Sequence, residues 1–360
     1  MSTELKKQKI IISTLDASIM GGVERVVSNL SSLFTKNGHA VEVISFFQKN
    51  KEEFFDFGEI EVKYLSDHEC DNGFFSKLRT FFLTIHLIKL FEENDENAIL
   101  ISTYPRTTVF LSILARKLRR QIIAHEHSSY HAHSFFVRIL RLLTYGKLRK
   151  VVTLTEHDKL KFQEHSIQTV VIPNFIEDKT IPNSIFTSDS LTCLSAGRLH
   201  KDKGFDRLLK IAKQFRGESI HFYIVGSGSE EQSLKELIKD YGLSSQISLM
   251  PATKNLYSLM SKCDLYLLTS RTEAFPLVMV EALSLSKPII AFDCPIGPRE
   301  IIKDSLNGYL VHDGDILGYA SKIKKIMESP KLYKELSEGA YQSYKNYNPV
   351  KNYELWSNIF

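Results

Sequence analysis

The chain is poor in cysteine, with four in 360 residues, Cys70, Cys193, Cys263 and Cys294. They are widely spaced and form no CxxC pair, which leaves no zinc or dithiol redox motif to argue from. Cys193 sits inside the strand-like run LTCLSA, where a reduced cysteine acts as a small apolar residue. Long hydrophobic runs are also missing. The longest stretch without Asp, Glu, Lys or Arg is the 13 residues from Tyr241 to Thr253, short of the ~20 apolar residues of a membrane span. Net charge is small, 46 Lys and Arg against 42 Asp and Glu, or +4, too weak to argue for nucleic acid as a partner. With 43% hydrophobic and 24% charged residues, disorder, collagen and coiled coil are excluded. The N-terminal MSTELKKQKIIISTL has no small-residue cleavage site and reads as a polar lead into a buried strand, with the cytoplasm as the expected compartment.

What is present is alternation. At ~150 residues per domain the length predicts two domains, and short apolar runs alternate with segments of helical period throughout, the pattern of βα units around parallel sheets. Strands are expected at Lys9 to Leu15, Ala40 to Phe46, Ala98 to Ser102, Gln121 to His125, Lys150 to Leu154 and Thr169 to Ile172. A helix from Val23 to Thr35 follows from Val23, Val26, Val27, Leu30, Leu33 and Phe34. The pattern lapses between Ile176 and Ser190, the expected linker, and restarts. Strands then follow at Leu191 to Ala196, Ile220 to Val225, Gln246 to Met250, Leu265 to Thr269 and Pro288 to Phe292, with helices at 205–215, 230–241, 255–261 and 276–285. The expected fold class is α/β, two doubly wound Rossmann-like domains facing a central cleft. The domains are expected at 1–177 and 178–345, with a C-terminal helix in 346–360 that packs back on the first.

In doubly wound domains ligands bind beyond the carboxyl ends of the strands, so polar and glycine-rich segments after strands are the candidates. Gly21 and Gly22 precede a helix; they either form a tight turn or let the backbone and helix N–H groups approach an anion. GxGxxG is absent there and at Gly226-Ser227-Gly228, where Glu231 holds the third position, which disfavours a nicotinamide dehydrogenase. In SAGRLHKDKG, Arg198 and Lys203 either belong to a solvated basic loop or converge on one phosphate with helix N–H groups. In Glu273-Ala274-Phe275-Pro276-Leu277, Pro276 is expected at the first helical position, leaving the N–H groups of Leu277 and Val278 open to a ligand. Glu281, in an all-apolar helix, needs either a structural partner such as an arginine or a ligand diol. Four histidines in AHEHSSYHAH read as metal ligands, as an acid, base or orienting group, or as plain loop residues. Asp313-Gly314-Asp315 matches DxD, but Asp315 is placed to cap a helix.

Together these motifs, with IPNFI at Ile172 to Ile176, IVGSGSEE, and DCPIGPREII followed by NGYLV, resemble the family 4 glycosyltransferases of GT-B fold over nearly the whole chain. The resemblance implies a retaining, metal-independent hexosyltransferase with no cofactor, in which a hexosyl or N-acetylhexosaminyl unit passes from a nucleotide sugar, UDP-linked on family frequency, to a hydroxyl of a growing lipid-linked polysaccharide, lipopolysaccharide or capsule. It implies that Arg198 and Lys203 hold the diphosphate, that Glu273 meets the sugar hydroxyls with the backbone of Ala274, Phe275, Pro276 and Leu277 nearby, and that Glu281 accepts from the ribose. Gly21 and Gly22 would approach the diphosphate from the other domain on closure, and His127, ahead of His125, would lie near the reacting centre. Another GT-B enzyme, a phosphorylase or sugar-nucleotide epimerase, and a non-catalytic carbohydrate-binding protein are the alternatives, since fold does not fix function.

The small net charge hides an uneven distribution. Residues 51–100 carry 12 acidic and 5 basic side chains, whereas 101–150 carry 10 basic and one acidic, Glu126. Residues 134–150, SFFVRILRLLTYGKLRK, read either as a helix packed on the domain with a solvated basic face or as an amphipathic helix lying on an anionic membrane. The second reading predicts a peripheral protein on the inner face of the cell membrane.

Overall fold

A computed structural model describes residues 7–70, 73–94, 96–177 and 190–360. The chain divides into two compact units, Met1–Phe175 with Pro349–Phe360, and Ile176–Asn348. Of the linker expected over Ile176 to Ser190, residues 178–189 lie outside the described residues.

The first unit is built on strands β1 (Lys9–Asp16), β2 (Ala40–Phe47), β3 (Val62–Tyr64), β4 (Ile99–Ser102), β5 (Ile122–His125), β6 (Lys150–Thr153) and β7 (Thr169–Val171), with helices α1 (Gly22–Lys36), α2 (Phe74–Glu92), α3 (Pro105–Leu114), α4 (Phe135–Thr144) and α5 (Glu156–Gln163) between them. The sheet order is β3-β2-β1-β4-β5-β6-β7, with every pairing parallel. Both faces are covered, so the central strands are apolar on both sides: Ile10, Ile11 and Ile12, like Leu100 and Ile101, are all buried. A last helix, Pro349–Ser357, belongs to this unit. Its Trp356 is buried edge-on to Phe34 at 5.5 Å and to His125 at 5.2 Å.

The second unit comprises β8 (Leu191–Ala196), α6 (Phe205–Ala212), β9 (Ile220–Val225), α7 (Glu231–Asp240), β10 (Ile247–Met250), α8 (Leu256–Lys262), β11 (Leu265–Leu268), α9 (Leu277–Ser284), β12 (Ile289–Phe292), α10 (Gly297–Ile301), β13 (Gly308–Val311), α11 (Ile316–Met327) and α12 (Pro330–Tyr344). Its parallel order is β10-β9-β8-β11-β12-β13. Cys193, buried in β8, faces Leu265 in register and packs as a small apolar residue. Asp315 caps α11 by accepting from the Gly318 N–H at 2.9 Å.

Two expectations need correction, and one strand was not among those expected. Strand β3 was not legible, because three residues on a sheet edge are too few for alternation to show. Pro276 is the N-cap of α9 with ψ of 98°, and the helix opens one residue later, at Leu277. The basic segment 134–150 is not one helix. It ends at Thr144, a 3-10 turn covers Tyr145–Lys147, and Lys150 begins β6.

Arg141 is not a surface cation either. It is 1% exposed, its Nη2 donates to Glu126 Oε2 at 2.7 Å, and its guanidinium lies 4.8 Å from the Phe162 ring centre. Tyr145 donates to the other oxygen, Glu126 Oε1, at 2.6 Å. The single acidic residue of 101–150 is therefore the buried partner of one of its ten basic ones, drawn inward because neither charge can be buried alone. Arg141→Met, which strands the Glu126 carboxylate, is expected to cost about 3–5 kcal/mol in urea unfolding. The double variant Glu126→Gln/Arg141→Met should recover most of that loss, and equal losses in both would contradict the pairing.

Candidate functional site

In the second unit the winding reverses between neighbours β8 and β11, since successive crossovers run outward from them in opposite directions. A crevice outside the carboxyl ends of the strands forms at such a reversal. The loops that leave β8 and β11 carry Arg198, Lys203 and Glu273.

After β8 the chain makes a 3-10 turn, Lys201–Lys203, capped by His200, and enters α6 through Gly204. Gly204 has φ of 64°, and a Cβ there would stand 2.1 Å from the Thr269 carbonyl oxygen, so only glycine lets this turn meet the end of β11. A second glycine pair seats the same loop from the other side. A Cβ on Gly226 would meet the Gly197 carbonyl oxygen at 1.9 Å, and Leu199 N–H donates to Ser227 O at 3.0 Å. GSG after β9 thus serves backbone packing.

The turn is tied to the β11–α9 loop by Arg271, whose N–H donates to Asp202 O and whose Nη1 donates to Lys201 O, both at 2.7 Å. Arg271 also grips both carboxylate oxygens of Asp206, at 2.8 and 2.7 Å. So positioned, Lys203 lays its stem against Gly197 and brings Nζ to 2.6 Å from Glu273 Oε1, which also accepts from Ser270 Oγ at 2.7 Å. The Glu273 side chain is 9% exposed and that of Lys203 28%. Arg198 is exposed and its guanidinium takes no partner among the described residues.

The segment after Glu273 is held from beneath. Gly297 N–H donates to Glu273 O at 3.2 Å, and a Cβ on Gly297 would press on Pro276, Glu273 and Ala274. The preceding Ile296 has φ of 81°, a conformation that costs a branched residue about 1–3 kcal/mol and concentrates at functional sites. Phe275 is buried against Tyr347, ring centres 5.9 Å apart. The N–H groups of Leu277 and Val278 open α9 and take no acceptor among the described residues. Glu281 is buried in the same helix. One exposed guanidinium, one paired ammonium and two helix N–H groups can receive an anion of more than one charge, beside a carboxylate able to accept from hydroxyls. Sequence reasoning missed Ser270 and Arg271; an arginine and a serine just before Glu273 were the available signal.

Known proteins agree with this architecture. Residues 177–343 match the family model described as Glycosyl transferases group 1, and residues 20–180 match Glycosyltransferase Family 4. The chain is 28% identical to the amylovoran biosynthesis glycosyltransferase AmsD of Erwinia amylovora, covering 98% of this chain and 99% of that protein. It is 25% identical, over 98% and 97%, to a Campylobacter jejuni GalNAc-alpha-(1->4)-GalNAc-alpha-(1->3)-diNAcBac-PP-undecaprenol alpha-1,4-N-acetyl-D-galactosaminyltransferase. Its fold matches Anabaena Alr3699/HepE, solved in complex with UDP-glucose, with a TM-score of 0.79 at 19% identity over 98% and 99% of the two chains. The chain belongs to the GT-B glycosyltransferases.

The remaining expected site residues of this glycosyltransferase lie in its first unit. Gly21 caps α1 and Gly22 is exposed, with nothing near enough to meet an added Cβ. His127 is half-buried, yet its Nε2 is shielded from solvent and unpartnered among the described residues. Burial pushes its imidazole down to about 3, so at neutral pH it can exchange hydrogen bonds but carries no charge. His125 lies tilted against it with ring centres 4.0 Å apart, 2% exposed and held well below the ordinary histidine range by the same burial and by His127.

A residue not singled out from sequence stands beside the glycine pair. Glu24, 7% exposed, folds its carboxylate so closely over Gly21 that a Cβ there would stand 2.0 Å from Oε2. Burial, with a smaller contribution from the charge of Asp16, raises its carboxyl from 4.5 to about 7. A folded-state value above the unfolded one means that ionisation opposes folding, so Glu24 lowers stability progressively as pH rises from about 4.5 to about 7. Glu24→Gln should match the wild type in unfolding free energy at pH 4. It should exceed it by up to about 3 kcal/mol at pH 8, a gap read from urea titrations at both pH values.

Proposed function

We propose that this glycosyltransferase is a retaining family 4 enzyme that moves a hexosyl or N-acetylhexosaminyl unit from a UDP-linked sugar to a hydroxyl of a growing, lipid-linked cell-surface glycan. The observation that carries the reading is the Lys203–Glu273 pair, 2.6 Å apart beside the exposed Arg198 at the β8/β11 reversal. The relatives that act in amylovoran biosynthesis and on an undecaprenol-linked glycan, and the UDP-glucose complex of the Anabaena protein, support the donor and acceptor classes.

Breaking a glycosidic bond to a diphosphate passes through an oxocarbenium-like state, and the demanding task is to stabilise the departing negative charge. On this reading the Arg198 fork and the Lys203 ammonium meet the phosphates, helped by the N–H groups of Leu277 and Val278. Charge stabilisation then comes from the chain itself, with no divalent ion required. Glu273, already oriented by Lys203 and Ser270, accepts from the hydroxyls of the sugar being transferred, and the buried Glu281 accepts from the ribose. No side chain is assigned as nucleophile. The acceptor hydroxyl attacks on the face from which the diphosphate departs and loses its proton to the leaving phosphate, so configuration is retained.

A panel of nucleotide sugars scored by thermal shift and by acceptor-dependent release of nucleoside diphosphate tests this, with the UDP-sugars expected to respond. Arg198→Ala and Lys203→Ala should each lower kcat by roughly 10²–10³-fold, the Arg198 variant without lowering the melting temperature of the unliganded protein. Normal turnover in both variants would refute the site.

The reading also includes contact with an anionic membrane, now without Arg141 and with more than 134–150. Phe135, Phe136 and Leu143 of α4 are 67%, 77% and 65% exposed, and Phe75 and Phe82 of α2 are 82% and 59% exposed. Helix α3 packs between these two helices and exposes Ile113 and Leu114. Lys77, Arg79, Arg116, Lys117 and Lys147, close in sequence to these apolar side chains, are exposed as well, the combination that binds anionic lipid. Among the described residues no helix is long and apolar enough to cross a membrane. Flotation with phosphatidylglycerol vesicles should be salt-sensitive, stronger than with phosphatidylcholine, and weakened several-fold by Phe75→Ser/Phe136→Ser. Equal flotation on both lipids would remove the membrane from the reading.

A further inference from the structure

The first sheet has a winding reversal of its own, between β1 and β4, and it too opens a cavity at the carboxyl ends of the strands. The cavity holds about 220 Å³. Asp16 enters it from the end of β1, Lys49 follows β2, Glu69 follows β3, and Tyr104 and Arg106 follow β4, with Thr80 of α2 closing one side. That volume lies below the ~300 Å³ at which drug-sized ligand sites begin and suits one sugar ring better than a nucleotide.

The charges in this cavity are not all spent on one another. Lys49 pairs with Glu69. The carboxylate of Asp16 accepts from Ser18 N–H at 3.0 Å, Ser18 Oγ at 2.7 Å and Lys49 N–H at 3.0 Å, so its charge is used to hold the loop that leads to Gly21. Arg106 is half-buried, and its guanidinium has no ion-pair or hydrogen-bond partner among the described residues. It sits in the first turn of α3, where the peptide dipoles disfavour a cation, so local stability does not explain it. The nearby His133 is pushed down to about 4, by burial first and then by the charges of Arg141 and Arg106, so it adds no second positive charge at neutral pH. The phenol of Tyr104 likewise has no hydrogen-bond partner among the described residues and lends the cavity an aromatic face.

We propose that this cavity is an acceptor subsite for a saccharide bearing an oxyanion, phosphate or carboxylate, which Arg106 grips while the ring lies against Tyr104. A planar guanidinium meets either oxyanion through two parallel N–H bonds. The inference rests on the transferase reading above and names the chemistry of its acceptor: a neutral glycan leaves Arg106 uncompensated, and an acidic or phosphorylated one does not. Thr80 faces the cavity from the helix whose other face exposes Phe75, Leu78 and Phe82, so a headgroup held at a membrane on that face has a short way to go.

The test titrates the full chain, with saturating UDP present, against α-D-glucose 1-phosphate, D-glucuronate and methyl α-D-glucoside by ligand-observed NMR. The wild type should prefer at least one oxyanion over the neutral glycoside by tenfold or more, and the ratio between phosphate and glucuronate identifies the source. Arg106→Gln should abolish the preference and Arg106→Lys should keep part of it, both retaining the wild-type melting temperature and UDP-induced thermal shift. Equal binding of all three sugars by the wild type, an undiminished preference in Arg106→Gln, or loss of all sugar binding when UDP is added overturns the subsite. A wild type without a UDP-induced shift overturns the donor reading instead, and the sugar preference still decides the cavity.

Discussion

Each sheet is wound outward in two directions from its first strand, and the rest of the molecule depends on that reversal. Right-handed crossovers place successive helices on one face while the chain moves one way and on the other face after it turns back. The helices that follow the two strands at the turning point lie on opposite faces of the sheet, so a crevice opens outside the carboxyl ends of those strands. In the second unit the loops that line it are those after β8 and β11, and in the first those after β1 and β4. Both places collect charged side chains, and in both the backbone is pinned before the side chains are: by Gly204 against Thr269 and Arg271 across the 3-10 turn in one, by Asp16 and Ser18 on the backbone beyond β2 in the other.

Charge in this protein is either consumed or displayed, and burial decides which. Glu126 and Arg141 are shut in together, so each must satisfy the other, and aromatic rings fill the space around the guanidinium. Arg207 with Asp313, and Arg299 with Asp293, are paired nearer the surface, where such contacts contribute little. Against that background Arg198 in the second unit and Arg106 in the first are conspicuous for lacking a protein partner among the described residues. Lys203 and Glu273 stand between these cases. They are paired with each other and only partly shielded from solvent.

The apolar ridge on α2, α3 and α4 follows the same division. Inward residues such as Leu87, Phe91, Val109 and Leu111 are buried in the core of the first unit, while Phe75, Phe82, Phe135 and Phe136 face outward. Outward aromatic side chains on neighbouring helices make a larger apolar surface than scattered exposed residues do, and three of the ten basic residues of 101–150, Arg116, Lys117 and Lys147, are exposed close in sequence to it.

Much of this was legible in the residues alone. Eight-residue strands such as Lys9–Asp16, the amphipathic period of α1 and the restart of the βα pattern at Leu191 are local signals, and local periodicity is set by backbone geometry within a few residues. The residue types of the candidate site were legible for a related reason: glycine, arginine, lysine and glutamate placed just after apolar runs have few structural uses there. Partnership was not legible. Glu126 meets Arg141 across 15 residues and Lys203 meets Glu273 across 70, and no periodicity carries that information. It depends on which strand ends become neighbours and on steric fits such as Gly204 beneath a carbonyl. The sequence by itself determined two α/β units and the kinds of side chain at their strand ends. Only the tertiary structure decided which charges are neutralised in the interior and which stay available, because desolvation penalises an unpaired charge only where packing has excluded water.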